Sequence, residues 1–218
     1  MKRQIFNLLT IMALTVVFTS CKKKADEANT SAAEEAVVAE STSQKYIASV
    51  DETTITWKGF KPTGTHSGTI ALDNGVFTTN DGKLHSGTFL INMASLKVTD
   101  IPAEEPGNGK LAGHLKSADF FDVEKFPNAA FEVTGSEDKD GKTMLSGNLS
   151  LKGVENNITF PVTVSNEGDM MSITSEAFTI DRSKWNVKYG SKSFFDDLGD
   201  KFINDEIELQ ITVKAKKS

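Results

Sequence analysis

The chain is poor in the residues from which most active sites are built. It has one cysteine, Cys21, and three histidines, His66, His85 and His114, in 218 residues. A single cysteine cannot form an internal disulfide, so the fold must be held by its core. The histidines do not pair at a metal-binding spacing such as HExxH, which excludes a sequence-local zinc site and leaves only one assembled across strands. No G-x-S-x-G elbow occurs. The "HSG" triplets at His66 to Gly68 and His85 to Gly87 do not make serine nucleophiles, because neighbouring side chains on a strand point to opposite faces. Basic runs are absent beyond Lys22 to Lys24, and 24 Lys and Arg face 30 Asp and Glu. Loss of Lys2 and Arg3 with a signal segment leaves 22 against 30, a net of −8. Such a domain repels phosphate backbones, and no nucleic-acid partner is expected.

Long apolar runs are also missing. The run from Ile5 to Phe18 is interrupted by Asn7, Thr10 and Thr15 and falls short of the ~20 residues of a membrane-spanning helix. Behind Lys2 and Arg3 and ahead of the small residues Thr19 and Ser20, it reads as a secretory signal over residues 1–20. Cys21 stands where a bacterial lipoprotein is cleaved and acylated, and "FTSC" resembles a lipobox. The chain is therefore expected to be exported and anchored to a bacterial membrane, on its periplasmic or cell-surface side, through acylated Cys21. Residues 22–44 lack aromatics and are dominated by Ala, Glu, Ser, Thr and Lys, so residues 21–44 read as the lipidated cysteine and a flexible stalk. Residues 45–218 have the size of one domain.

Alternation fills that domain. Ile207, Leu209, Ile211 and Val213 fall at every second position, as do Phe89, Ile91 and Met93, and Ile158, Phe160, Val162 and Val164. The same period joins Ile55 to Trp57, Ile70 to Leu72, Phe131 to Val133, Leu149 to Leu151 and Phe178 to Ile180. Each is a half-buried strand. Turn chemistry separates them at Asp73 to Gly75, Asn80 to Gly82, Asp138 to Gly141, Lys152 and Gly153, and Asn166 to Asp169. Roughly eight to ten short strands joined by tight turns predict an all-β antiparallel meander that closes into a barrel or doubles into a sandwich to hide its edges. Pro161 within "ITFPVTV" predicts a bulge or a partial edge at the middle of its strand.

One stretch breaks the pattern. In "HLKSADFFDVEKFPNAAFEVTG", His114 to Gly135, acidic residues and phenylalanines crowd ahead of Pro127. With Leu111, Leu115 and Ala118 forming one apolar stripe, a short helix followed by Phe120, Phe121 and Phe126 is expected as a lid on one end of the barrel. Asp119 and Asp122 read as turn formers and His114 as a local hydrogen-bonding group. A second aromatic cluster, Trp185, Tyr189, Phe194 and Phe195 near Arg182, Lys184 and Lys188, suits either a barrel mouth that meets an amphiphile or a closed far end.

Taken in order, "GTHSGTIALDNG", "LHSGTFLINMASL", "KLAGHLKSADFFDVEKFPNAAFEVTG", "GNLSLKGVENNITFPV" and "FTIDRSKWNVKYGSKSFF" resemble the YceI-like family of lipocalin-like proteins. The resemblance implies an extended antiparallel eight-stranded barrel with a short helical cap and an interior for a lipidic small molecule such as a polyisoprenoid, an isoprenoid quinone or a fatty-acid-like amphiphile. On this reading the protein is no enzyme and holds no cofactor or metal beyond its lipid. Period alone assigns Trp57, Phe89, Ile91, Phe131, Leu149, Phe160, Phe178 and Trp185 to the lining and Leu115, Phe120 and Phe121 to the cap, and a one-residue slip inverts that assignment. The alternatives are a structural lipoprotein with a packed barrel, or a metal or hydrolytic site using His66 and His114. A homodimer of barrels is compatible with the pattern.

Overall fold

The computed structural model describes residues 24–218. The expected signal segment and Cys21 lie outside the described residues. In chain order the elements are β1 (Asp26–Glu27), β2 (Asn29–Ala32), β3 (Gln44–Ala48), β4 (Thr54–Lys61), β5 (Gly64–Asn80), β6 (Lys83–Val98), α1 (Pro106–Lys116), β7 (Asn128–Lys139), β8 (Lys142–Leu151), β9 (Val154–Glu167), β10 (Met170–Ser175), β11 (Phe178–Asp181) and β12 (Glu206–Lys217). A 3-10 turn, Arg182–Trp185, follows β11, and a second, Gly199–Lys201, precedes β12.

The sheet closes on itself through 8 strands, running β4, β5, β6, β7, β8, β9, β10, β12 and back to β4. All of these pairings are antiparallel. Two lanes of the ring are broken strands. β3 continues the lane of β4 between the far ends of β5 and β12, and β11 continues the lane of β10 beside β12. Closure removes most of the edges an open sheet would expose.

Four of the expected turns form hairpins, and the one at Asn166 to Asp169 joins β9 to β10 with Gly168 at positive φ. In the other three, Asp81 and Gly82, Asp140 and Gly141, and Lys152 and Gly153 all have positive φ, the requirement of the two-residue turn whose twist matches the strands it joins. The turn expected at Asp73 to Gly75 does not form. These residues lie inside the 17-residue β5, and the register with β6 shifts between Leu72 and Asn74. A strand this long must bend to follow a barrel wall, and a bulge supplies the bend. At Gly75 an added Cβ would meet Ala48 and Phe89 below 3.0 Å, so the glycine is there for close packing.

The reading of residues 22–44 as a free stalk is corrected for the described part. β1 pairs in parallel with β11, and β2 pairs antiparallel with β9, so this segment fills the seam where β10 has ended. The outward-facing amide of Asn148 accepts from the Glu34 N–H at 3.0 Å and donates to the Glu34 carbonyl at 2.6 Å. Asn157 donates to Asn148 Oδ1 at 3.0 Å and to Thr134 Oγ1 at 2.8 Å. The segment then crosses the wall, with the Val37 N–H donating to Val133 O at 3.2 Å, and returns as β3. Low hydrophobicity argued for disorder, but this strap is held by backbone pairing and two buried asparagines, which a hydrophobicity argument does not count.

Pro161 sits at the same seam. β2 pairs β9 up to Thr159 and β10 takes over from Val162, so the proline stands where that flank of β9 has no partner, as its missing donor requires.

Candidate functional site

The barrel interior is divided. At the end where β3 enters, Tyr46, Phe77, Met171 and Ala215 are at most 1% exposed and fill the space solidly; Tyr46 pairs with Phe77, and Ala215 with Met171, across neighbouring strands. Towards the other end the side chains draw apart around a cavity of about 330 Å³, at the lower end of the range for small-molecule sites.

Seven of the eight residues assigned to the lining by period face it: Trp57, Phe89, Ile91, Phe131, Leu149, Phe160 and Phe178. Alternation puts them on one face because successive side chains point oppositely along each strand. Ile55, Ile70, Leu72, Leu145, Ile173, Leu209 and Val213 join them from the same period. The aromatics form a belt across five strands. Ring centroids lie 5.9 Å apart for Phe77 and Phe89, 6.5 Å for Phe89 and Phe131, 5.8 Å for Phe131 and Phe160, and 4.2 Å for the stacked Phe160 and Phe178. Such contacts add to simple burial and fix the rings as a rigid wall.

Trp185 is the exception. It is 0% exposed and not part of the lining. The Asp181 carboxylate accepts from the Ser183 N–H at 2.9 Å and starts the 3-10 turn, which carries the indole out of the strand's alternation. Its Nε1 donates to Leu149 O at 2.7 Å. The "DRS" triplet was the available signal, since aspartate favours such a cap.

The cap residues converge on the cavity. Leu111, His114 and Leu115 of α1, with Phe120 and Phe121 of the following loop, border it. Pro106 opens the helix, and Ser117 ends it by donating to His114 O at 2.8 Å. The expected stripe is shortened, because Ala118 falls beyond the helix end.

Among the described residues that line the cavity, the charged groups gather where β4, β5 and β12 meet the cap. Lys61, His66, His114, Arg182, Asn204 and Glu206 border that end of the cavity. Arg182 is 0% exposed. It donates to the carbonyls of Asn204 at 3.1 Å, Val187 at 2.6 Å and Ile203 at 3.1 Å. Asp205 lies 3.4 Å away, and the guanidinium rests 5.2 Å from the Phe120 ring centre. Burial lowers its pKa, and Asp205 and Asp181 oppose that shift; an arginine so held stays cationic. His66 Nδ1 meets Asp100 Oδ2 at 2.8 Å, and the Ser67 N–H donates to Asp100 Oδ1 at 2.9 Å. Burial resists ionisation of Asp100, but these two contacts outweigh it and hold its pKa below the ordinary 3.8. His114 lies edge-on to Tyr189 at 4.7 Å and to Phe120 at 5.6 Å, with Asp119 at 3.8 Å. Each histidine thus has its own carboxylate. Among the described residues no group of three or more His, Cys, Asp or Glu side chains could hold a metal ion.

A closed antiparallel barrel of eight strands with a capped, apolar cavity and a charged rim defines a lipocalin-like class of fold. The YceI-like domain family model matches residues 26–215, and the chain belongs to that family. The match includes the strap as well as the ring. A UPF0312 protein of Pseudomonas putida (strain W619) is 31% identical over 102 residues, 46% of this chain and 50% of the relative. The chain spans about half the length of this curated relative. Among solved structures, BcnA of Burkholderia cenocepacia superposes with a TM-score of 0.61 at 19% identity, covering 78% of this chain and 99% of that one. A polyisoprenoid binding domain of Saccharophagus degradans, implicated in plant cell wall breakdown, gives 0.61 at 13% identity, covering 79% and 98%. At these identities the likeness shows the fold.

Proposed function

We propose that the protein binds one lipidic molecule, a polyisoprenoid, an isoprenoid quinone or a fatty-acid-like amphiphile, inside the barrel. We further propose that it stores or carries this lipid while held at a bacterial membrane through acylated Cys21, without performing chemistry on it. The carrying observation is the cavity, lined along its length by aliphatic and aromatic side chains and ringed by charge at one end only. An apolar chain gains about 25 cal/mol for each Å² withdrawn from water, so a long tail binds without a polar contact along its course. Its polar end belongs beside Lys61, His66, His114 and Arg182. The polyisoprenoid binding domain of Saccharophagus degradans, with its similar fold, supports the class of ligand. An interior open over about 330 Å³ favours this reading over a packed structural barrel.

Native mass spectrometry of the detergent-free protein, followed by organic extraction, tests the proposal. Near one isoprenoid or acyl chain per barrel is expected. An apo mass that takes up neither added quinone nor isoprenyl phosphate overturns it.

A further inference from the structure

Beside the charged rim the chain displays aromatic side chains that the core does not use. Tyr189, Phe194 and Phe195 are 45%, 47% and 50% exposed, and all fall within the loop between the first 3-10 turn and β12. The loop is firmly built. The hydroxyls of Ser191 and Ser193 donate to Asp205 Oδ2 at 2.9 and 2.7 Å, the Phe195 N–H donates to Ser191 O at 3.0 Å, and the Ile203 N–H donates to Gly190 O at 2.8 Å. Lysines flank the rings, with Lys188 Nζ 4.4 Å from the Phe194 ring centre and Lys192 Nζ 3.6 Å from that of Phe202.

Two further observations say what covers this surface. It is continuous with the cavity, because Tyr189 packs on His114 at 4.7 Å and on Phe120 at 6.1 Å, and both border the interior. The strap also begins here: Lys24 Nζ meets Glu206 Oε1, itself on the cavity rim, at 2.7 Å. Cys21 stands three residues earlier, a reach of at most about 10 Å of extended chain. An anchor at that position would hold this end of the barrel, and not the packed end, against lipid.

We infer that Tyr189, Phe194 and Phe195 form a lip that inserts into a lipid surface and sets the cavity mouth upon it, so that a lipid passes between bilayer and barrel without crossing water. This rests on the reading of the cavity as a lipid site. Asp196, Asp197, Asp200 and Asp205 share the loop with Lys188, Lys192 and Lys201, and Arg182, 3.4 Å from Asp205, offsets the one acidic residue in excess, so there is no basic patch. Insertion is therefore driven by the rings and depends weakly on salt, unlike attraction of a basic patch to anionic lipid.

The test uses the full chain mixed with vesicles of phosphatidylcholine and phosphatidylglycerol that carry a fluorescent polyisoprenoid. In the double variant Phe194→Ser, Phe195→Ser, removal of two inserting rings is expected to slow uptake by about tenfold or more, while the amount held at equilibrium stays unchanged. Independently, Phe195→Trp is expected to be quenched by brominated phosphatidylcholine beyond the quenching of the parent, whose Trp57 and Trp185 are buried. Unchanged uptake, or no added quenching, overturns the lip. If no version of the chain takes up the polyisoprenoid, the cavity reading fails, and the quenching of Phe195→Trp alone decides whether the loop meets lipid.

Discussion

The two ends of the barrel are spanned by the same long strands, β5 and β12, yet one is solid and the other hollow. At the solid end β3 brings Tyr46 onto Phe77, whose rings stack at 5.3 Å, and Met171 and Ala215 complete the filling. At the hollow end the lane is β4, and its inward residues, Ile55 and Trp57, face an open interior together with Ile70 and Leu72 of the neighbouring β5. Inward side chains are apolar at both ends. What differs is whether opposite walls meet, so an apolar face marks the inside of a barrel without saying whether that inside is occupied.

Substitutions separate the two ends, and the largest effect belongs to the solid one. Phe77→Ala leaves a void among fully buried neighbours and is expected to cost about 3–5 kcal/mol in denaturant unfolding. Arg182→Met, at the rim of the hollow end, is expected to cost about 3 kcal/mol or more, because it strands Asp205 and three carbonyls that the guanidinium now serves. A loss below 1 kcal/mol would show that these groups find water instead. Leu149→Trp reverses the contrast. In a packed interior an added ring costs about 1–3 kcal/mol, whereas beside an open cavity it should leave the unfolding midpoint nearly unchanged and reduce extractable lipid. A large loss of stability would argue that the cavity is closed in solution.

Asn148→Ala tests the seam. Loss of the paired amide contact with Glu34 is expected to cost about 1–3 kcal/mol and to speed hydrogen exchange and proteolysis within residues 24–44 before the ring itself opens. The smallest effect is that of Asp100. Its pKa is depressed in the folded chain, so its contribution is fully present above its unfolded value and is lost as pH falls through the lowered one. The side chain is 27% exposed, which keeps the effect below about 1 kcal/mol. Asp100→Asn should therefore melt below the parent at neutral pH and converge with it in acid; a constant difference would place its role elsewhere.

Much of this was legible in the residues. Alternation put seven of the eight expected side chains on the cavity wall, glycine turns marked four hairpins, and Pro161 marked a partner-free flank. The misreadings share a cause. Trp185 left the alternation because a side-chain cap turned the backbone after β11. Asp73 to Gly75 had the composition of a turn but became a bulge, because the barrel wall continues past it. The strap looked solvated because its anchors, Asn148 and Asn157, lie more than a hundred residues away in sequence.

The sequence by itself determined the class of fold, since period-2 alternation and turn chemistry are local properties that each segment carries with it. It also determined the apolar character of the interior, because the same alternation decides what every strand must hide. Only the tertiary structure decided which part of that interior the side chains leave open, where the strap closes the seam, and that Lys61, His66, His114 and Arg182 meet at one rim. These depend on distances between residues remote in the chain, which strand closure sets and no local pattern records.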